Sequence, residues 1–130
     1  MHTKEQLMEM HSEHNEWQNK IKFYREELKK LNSQLDETIM RGPSVEQLPL
    51  IEHFQNQLTV QSEVLDVMRH DFKQHENAIE AKQESINEFD SLLGGNHESS
   101  RERLAQFEKL FRELREEFHG FTQPGFVKQL

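Results

Sequence analysis

From Leu7 to Thr38 a seam runs through the chain in steps that alternate three and four without interruption: Leu7, Met10, His14, Trp17, Ile21, Tyr24, Leu28, Leu31, Leu35 and Thr38. The average step of 3.5 residues is the period at which one stripe of a helix stays against its neighbours through many turns. A strand would need a period of two. The spacing returns in Ile51, Phe54, Leu58, Gln61, Leu65, Met68, Phe72, His75, Ile79, Lys82, Ile86, Phe89 and Leu93, and again in Leu104, Phe107, Phe111, Leu114, Phe118 and Phe121. Three such seams predict an all-α chain, an elongated antiparallel three-helix bundle or coiled coil with two long helices and one shorter helix.

Composition agrees with a thin seam rather than a thick core. Hydrophobic residues are 33% and charged residues 31% of the chain, and mean hydropathy is −0.95. With 5 Gly and 3 Pro among 130 residues, turns are few. Two of them divide the sequence: Arg41-Gly42-Pro43-Ser44 and Gly94-Gly95-Asn96. Glycine after a periodic stretch marks a helix end. Starts are marked by the capping-box pattern at Thr3-Lys4-Glu5-Gln6, Ser44-Val45-Glu46-Gln47 and Ser99-Ser100-Arg101-Glu102. Pro49 is tolerated only in a first turn, so the second helix begins between Ser44 and Pro49. The expected organisation is a single bundle over residues 1–121, with helices at about 3–40, 45–93 and 97–120, and a C-terminal tail over 122–130.

Charge narrows the partners. There are 16 Lys and Arg against 24 Asp and Glu, a formal net charge of −8. An acidic chain repels phosphate backbones, so no nucleic-acid partner is expected. The basic runs Lys20-Ile21-Lys22 and Lys29-Lys30 sit among glutamates as solvated helix faces. Cysteine is absent, which removes disulfides and thiol chemistry. The stretch from Met1 to Trp17 is polar and does not read as a signal peptide. No stretch reaches the ~20 apolar residues of a membrane span. No membrane partner and a cytoplasmic location are therefore expected.

The polar residues inside the seams carry the most information. His14 and His75 hold core positions at similar distances from the Gly42-Pro43 turn, so they should face one another. Pairing the third helix against the second brings Phe118 to that level, with Glu116, Glu117 and His119 beside it. Asp71 lies one turn before His75, and His11 one turn before His14. Imidazoles and carboxylates from three helices suit zinc, iron or manganese, and Glu116-x-x-His119 has the spacing used in di-iron bundles. The candidate metal ligands are thus His14, His75, Glu116, His119, Asp71 and His11. A ferritin-like site needs two such pairs and four helices, however, so packed histidines that fix register are the leading reading and a metal site the second, and facing histidines are also a candidate pH switch. The Tyr24 hydroxyl is within expected reach of Gln61, and His53, His70 and His97 read as solvated.

A shorter third helix should cover only half of the second and leave Leu28–Met40 and Ile51–Leu65 as a bare hairpin. Beside the seam there, Val60, Val64 and Val67 form a second apolar stripe, and Phe23 faces outward on the first helix. The tail, through Phe126, or a second copy or partner protein is expected to cover this surface. The chain has no glycine-rich phosphate loop, no G-x-S-x-G and no cysteine nucleophile. A non-enzymatic scaffold or adaptor is therefore expected, acting by protein–protein interaction or as a homodimer, with a metal-binding bundle as the alternative. His14-Asn15-Glu16-Trp17 and Glu52-His53-Phe54-Gln55-Asn56-Gln57 resemble segments of a group of small all-helical uncharacterised proteins. That resemblance implies an independent small helical protein and no activity.

Overall fold

The computed structural model describes the backbone of residues 3–82 and 90–122, and the side chains of 3–77 and 97–122. It is all-helical, with α1 at Lys4–Met40, α2 at Leu48–Lys82 and α3 at Asp90–Thr122, and no strand among the described residues. Among those residues no helix is long and apolar enough to cross a membrane.

Local chemistry sets the ends of α1. The Thr3 hydroxyl accepts the Gln6 backbone N–H at 3.1 Å, and the Gln6 side chain accepts the Thr3 N–H at 2.8 Å, a complete capping box. At the other end the Arg41 N–H donates to the Glu37 carbonyl at 3.1 Å. Gly42 follows at φ +78°. That left-handed backbone is open to glycine and strained for any residue with a Cβ. A Cβ at Gly42 would meet nothing within 4 Å, so the cost of Gly42→Ala is purely conformational. Gly42→Ala is expected to lower stability by about 1 kcal/mol, read as a drop in urea midpoint at unchanged slope. Before α2, the Gln47 side chain accepts the Ser44 N–H at 2.9 Å, and Pro49 sits in the first turn of the helix, where no N–H partner is needed.

Most seam positions bury as the spacing predicts, with Met10, Tyr24 and Thr38 only partly buried. Leu7, His14, Trp17, Ile21, Leu28, Leu31 and Leu35 are the buried residues of α1. On α2 the seam is buried from Ile51 to His75, and on α3 from Leu104 to Phe121. Ile79, Lys82, Ile86, Phe89 and Leu93 lie outside the residues whose side chains are described, as does Phe126. Aromatic rings pack against one another along the core. Phe54 meets Phe118 edge-on at 5.1 Å, and Tyr24 meets Phe107 at 5.3 Å and Phe111 at 5.0 Å. Such pairs add about 0.5–1.5 kcal/mol beyond the area they bury.

The second break is not where glycine suggests. α3 starts at Asp90 and runs through Gly94-Gly95, and the Ser99–Glu102 capping pattern lies inside it. Glycine costs a helix only about 1 kcal/mol relative to alanine, less than a buried face returns. The earlier start changes the register, because moving a turn along the chain displaces the next helix by twice as many residues. Phe118 packs on Phe54 rather than at the level of His75, and His97 takes the place beside His75. Gln61 and Leu110, then Asp71 and Arg103, pair between these two points. α3 therefore reaches Phe54, and the expected bare hairpin is covered: Leu58 and Leu65 are both buried. Tyr24 is likewise redirected. Its hydroxyl donates to Glu108 at 2.6 Å, while the Gln61 amide donates to the Leu110 carbonyl at 3.3 Å. Burial, with the Glu108 carboxylate beside it, pushes the Tyr24 hydroxyl up to about 12.

Candidate functional site

Each helix contributes one histidine to a single buried cluster. His14 is 0%, His97 2% and His75 7% exposed. The ring centroids are 4.8 Å apart for His14 and His75, and 5.5 Å apart for His14 and His97 and for His75 and His97. One ring nitrogen from each lies within 4.8 Å of the others. Trp17 closes the cluster, at 4.7 Å from both His14 and His97, and Phe72 packs behind it at 6.0 Å from His14.

The nitrogens are poorly served. Both ring nitrogens of His14, Nε2 of His75 and Nδ1 of His97 are buried without a hydrogen-bond partner. Such groups are uncommon, because each forfeits its bonds to water on folding. Burial, reinforced by His75 and His97, holds His14 down at about 3. Burial, with His97 beside it, holds His75 down at about 4. Both rings are thus neutral at pH 7, and each offers a lone pair.

His97 has a partner on its far side. Its Nε2 lies 2.5 Å from Glu13 Oε1. The Glu13 carboxyl is held at about 2 by its hydrogen bonds to Arg101, against the cost of its burial and with help from His97. Arg101 Nε and a terminal nitrogen each reach it at 2.9 Å, and Arg101 also bonds Glu98. An ionised carboxylate only accepts, so the proton of this bond sits on His97 Nε2. In the neutral ring this leaves Nδ1, the orphaned atom, as a lone pair.

The structure brings together two of the six candidate ligands, His14 and His75, and adds His97. The other four lie apart. Asp71 is exposed and takes Arg103 at 2.9 Å. His11 stays one turn from His14 but sets Nδ1 3.0 Å from Glu76. Glu116 and His119 are exposed, on the part of α3 that packs against Phe54. His97, expected to be solvated at a helix start, carries a signal in its spacing. His97 and Ser100 continue the α3 seam backwards from Leu104 in steps of three and four, and both are buried.

A second feature lies between α2 and α3, a groove of about 670 Å³. Val60, Val64, Met68, Phe107 and Leu110 are among its lining, with Glu102, Glu113 and Glu117 also there. Val60, Val64 and Leu110 are each more than 40% exposed. Of the remaining expected surface, Val67 and Phe23 are exposed but do not line the groove. Comparison with protein-family models, curated proteins and solved structures gave no match to this chain.

Proposed function

We propose that this chain is an elongated antiparallel three-helix bundle of the coiled-coil type, and that it works without catalysis, by holding an amphipathic helix of a partner protein in the α2–α3 groove. The antiparallel reading is supported by the pairing order. Partners on α2 descend from His75 to Asp66 as α1 rises from His14 to Arg25, and partners on α3 rise from His97 to Phe118 as α2 descends from His75 to Phe54.

The observation that carries the interaction is the apolar floor of the groove. Val60 and Val64 on α2 stand with Leu110 on α3, all large apolar residues left in water. A groove between two packed helices is where a further helix seats its i, i+4 and i+7 side chains. The charges favour a basic-flanked partner over a second copy. Glu102 and Glu113 line the groove together with Glu117, which lies 3.1 Å from His53, the groove's arginine, Arg103, is engaged by Asp71, and a net charge of −8 opposes self-association.

Titration calorimetry with a designed amphipathic helical peptide tests this. Leucines at i, i+4 and i+7 with lysine flanks should bind one to one. Glutamate flanks should weaken binding by about tenfold or more, which is about 1.4 kcal/mol. Val64→Asp should weaken it equally while leaving helicity intact, because Val64 is already 41% exposed. Equal binding of both peptides, or binding indifferent to Val64→Asp, removes the proposal. A light-scattering mass of two chains that Val64→Asp reduces to one would assign the groove to a second copy instead.

A further inference from the structure

We propose that His14, His75 and His97 together bind one divalent transition-metal ion, zinc by preference, and that the ion clamps the three helices at this end of the bundle. Three imidazoles with no sulfur ligand form a donor set suited to zinc, and also to the neighbouring late first-row ions. The site explains an arrangement that packing alone leaves costly. Four ring nitrogens without partners are gathered among three histidines that are nine-tenths or more buried, and a hydrogen-bonded core would have paired them with one another.

The fit is close without being closed. Tetrahedral zinc at about 2.0–2.1 Å from each nitrogen sets the nitrogens about 3.4 Å apart. The ring nitrogens all lie within 4.8 Å of one another, so binding closes any pair by at most about 1.4 Å, the scale of a side-chain adjustment. Among the described residues no fourth histidine or carboxylate joins the three.

The surroundings match what a metal-bound histidine requires. An imidazole ligand commonly gives its other N–H to a carboxylate, which fixes the tautomer and raises the basicity of the ligating nitrogen. Glu13 does this for His97 at 2.5 Å, and Arg101 holds Glu13 in place. The carboxylate also supplies a negative charge close to a buried cation. Glu13 and Arg101 act through His97 and are positioning residues.

The test uses untagged, chelator-treated full-length chain. Zinc is titrated by calorimetry, thermal melts are taken with and without zinc, and cobalt(II) serves as a spectroscopic probe. The expected result is one zinc per chain, a raised Tm and a visible cobalt band of tetrahedral intensity. His97→Ala, checked by circular dichroism for retained helicity, should weaken zinc by about a hundredfold or more, and Glu13→Ala by about 10- to 100-fold. His119→Ala and His53→Ala should bind as the parent does. Should His14→Ala or His75→Ala fail to fold, His97→Ala and the cobalt spectrum carry the decision. The absence of saturable zinc binding, an octahedral cobalt spectrum, or affinity unchanged by His97→Ala would each overturn the site.

Discussion

Lowering the pH of the metal-free protein from 7.5 to 5 is expected to remove about 4 kcal/mol of folding stability, about 2 kcal/mol from each of two histidines. His14 titrates at about 3 and His75 at about 4 in the folded chain, against about 6.5 when unfolded. The folded values are depressed, so below pH 6.5 the unfolded chain binds protons that the folded chain refuses. Stability from these groups is complete above that pH and falls as pH drops toward the folded values. His14 is faced by His75 and His97 from the other two helices and by Glu13 and His11 on its own. Glu13 does not confuse the measurement. Its carboxyl is depressed to about 2 from 4.5, so its contribution is lost below the interval tested. Urea denaturation in chelator at the two pH values checks this, and equal or greater stability at pH 5 would contradict the burial of neutral histidines.

His14→Leu is expected to stabilise the metal-free protein at pH 7.5 by about 1–3 kcal/mol, the cost of leaving a buried polar group unsatisfied. Most substitutions of a fully buried core residue destabilise. Here the native side chain brings two orphaned nitrogens into contact with Trp17 and Phe72, and leucine has a similar volume without them. The same variant should reduce the pH-dependent loss to about 2 kcal/mol, because only His75 would remain of the pair. It should also abolish the zinc response. Greater stability combined with lost metal binding is the pattern of a position kept for function at the expense of folding. A drop of more than about 1 kcal/mol in the urea experiment would show that the His14 nitrogens are satisfied in solution.

Much of the helical core was legible residue by residue. The 3–4 alternation named every buried position of α2 from Ile51 to His75, including Gln61, and of α3 from Leu104 to Phe121. The candidate site was half legible. His14 and His75 are on the seams, and an antiparallel pairing about the Gly42 turn set them opposite one another. His97 was missed, and Glu116 and His119 stood in its place, for one shared reason. Gly94-Gly95 carries a local stop signal, and a third helix begun after it takes a different register against α2. A stop signal states what the backbone prefers in isolation. It does not weigh a helix turn against the burial of the face that the turn carries.

Helicity, the buried stripe of each helix and the two ends of α1 are readable from the chain alone. These are consequences of side-chain period and capping chemistry, both set by neighbours within four residues. Which residues of different helices stand at one level follows only from the packed helices. That packing placed His97 rather than Glu116 and His119 beside His14 and His75, turned Tyr24 toward Glu108, and opened the groove over Val60 and Val64. Relative register between α2 and α3 depends on burial summed over their whole contact, which no local pattern encodes.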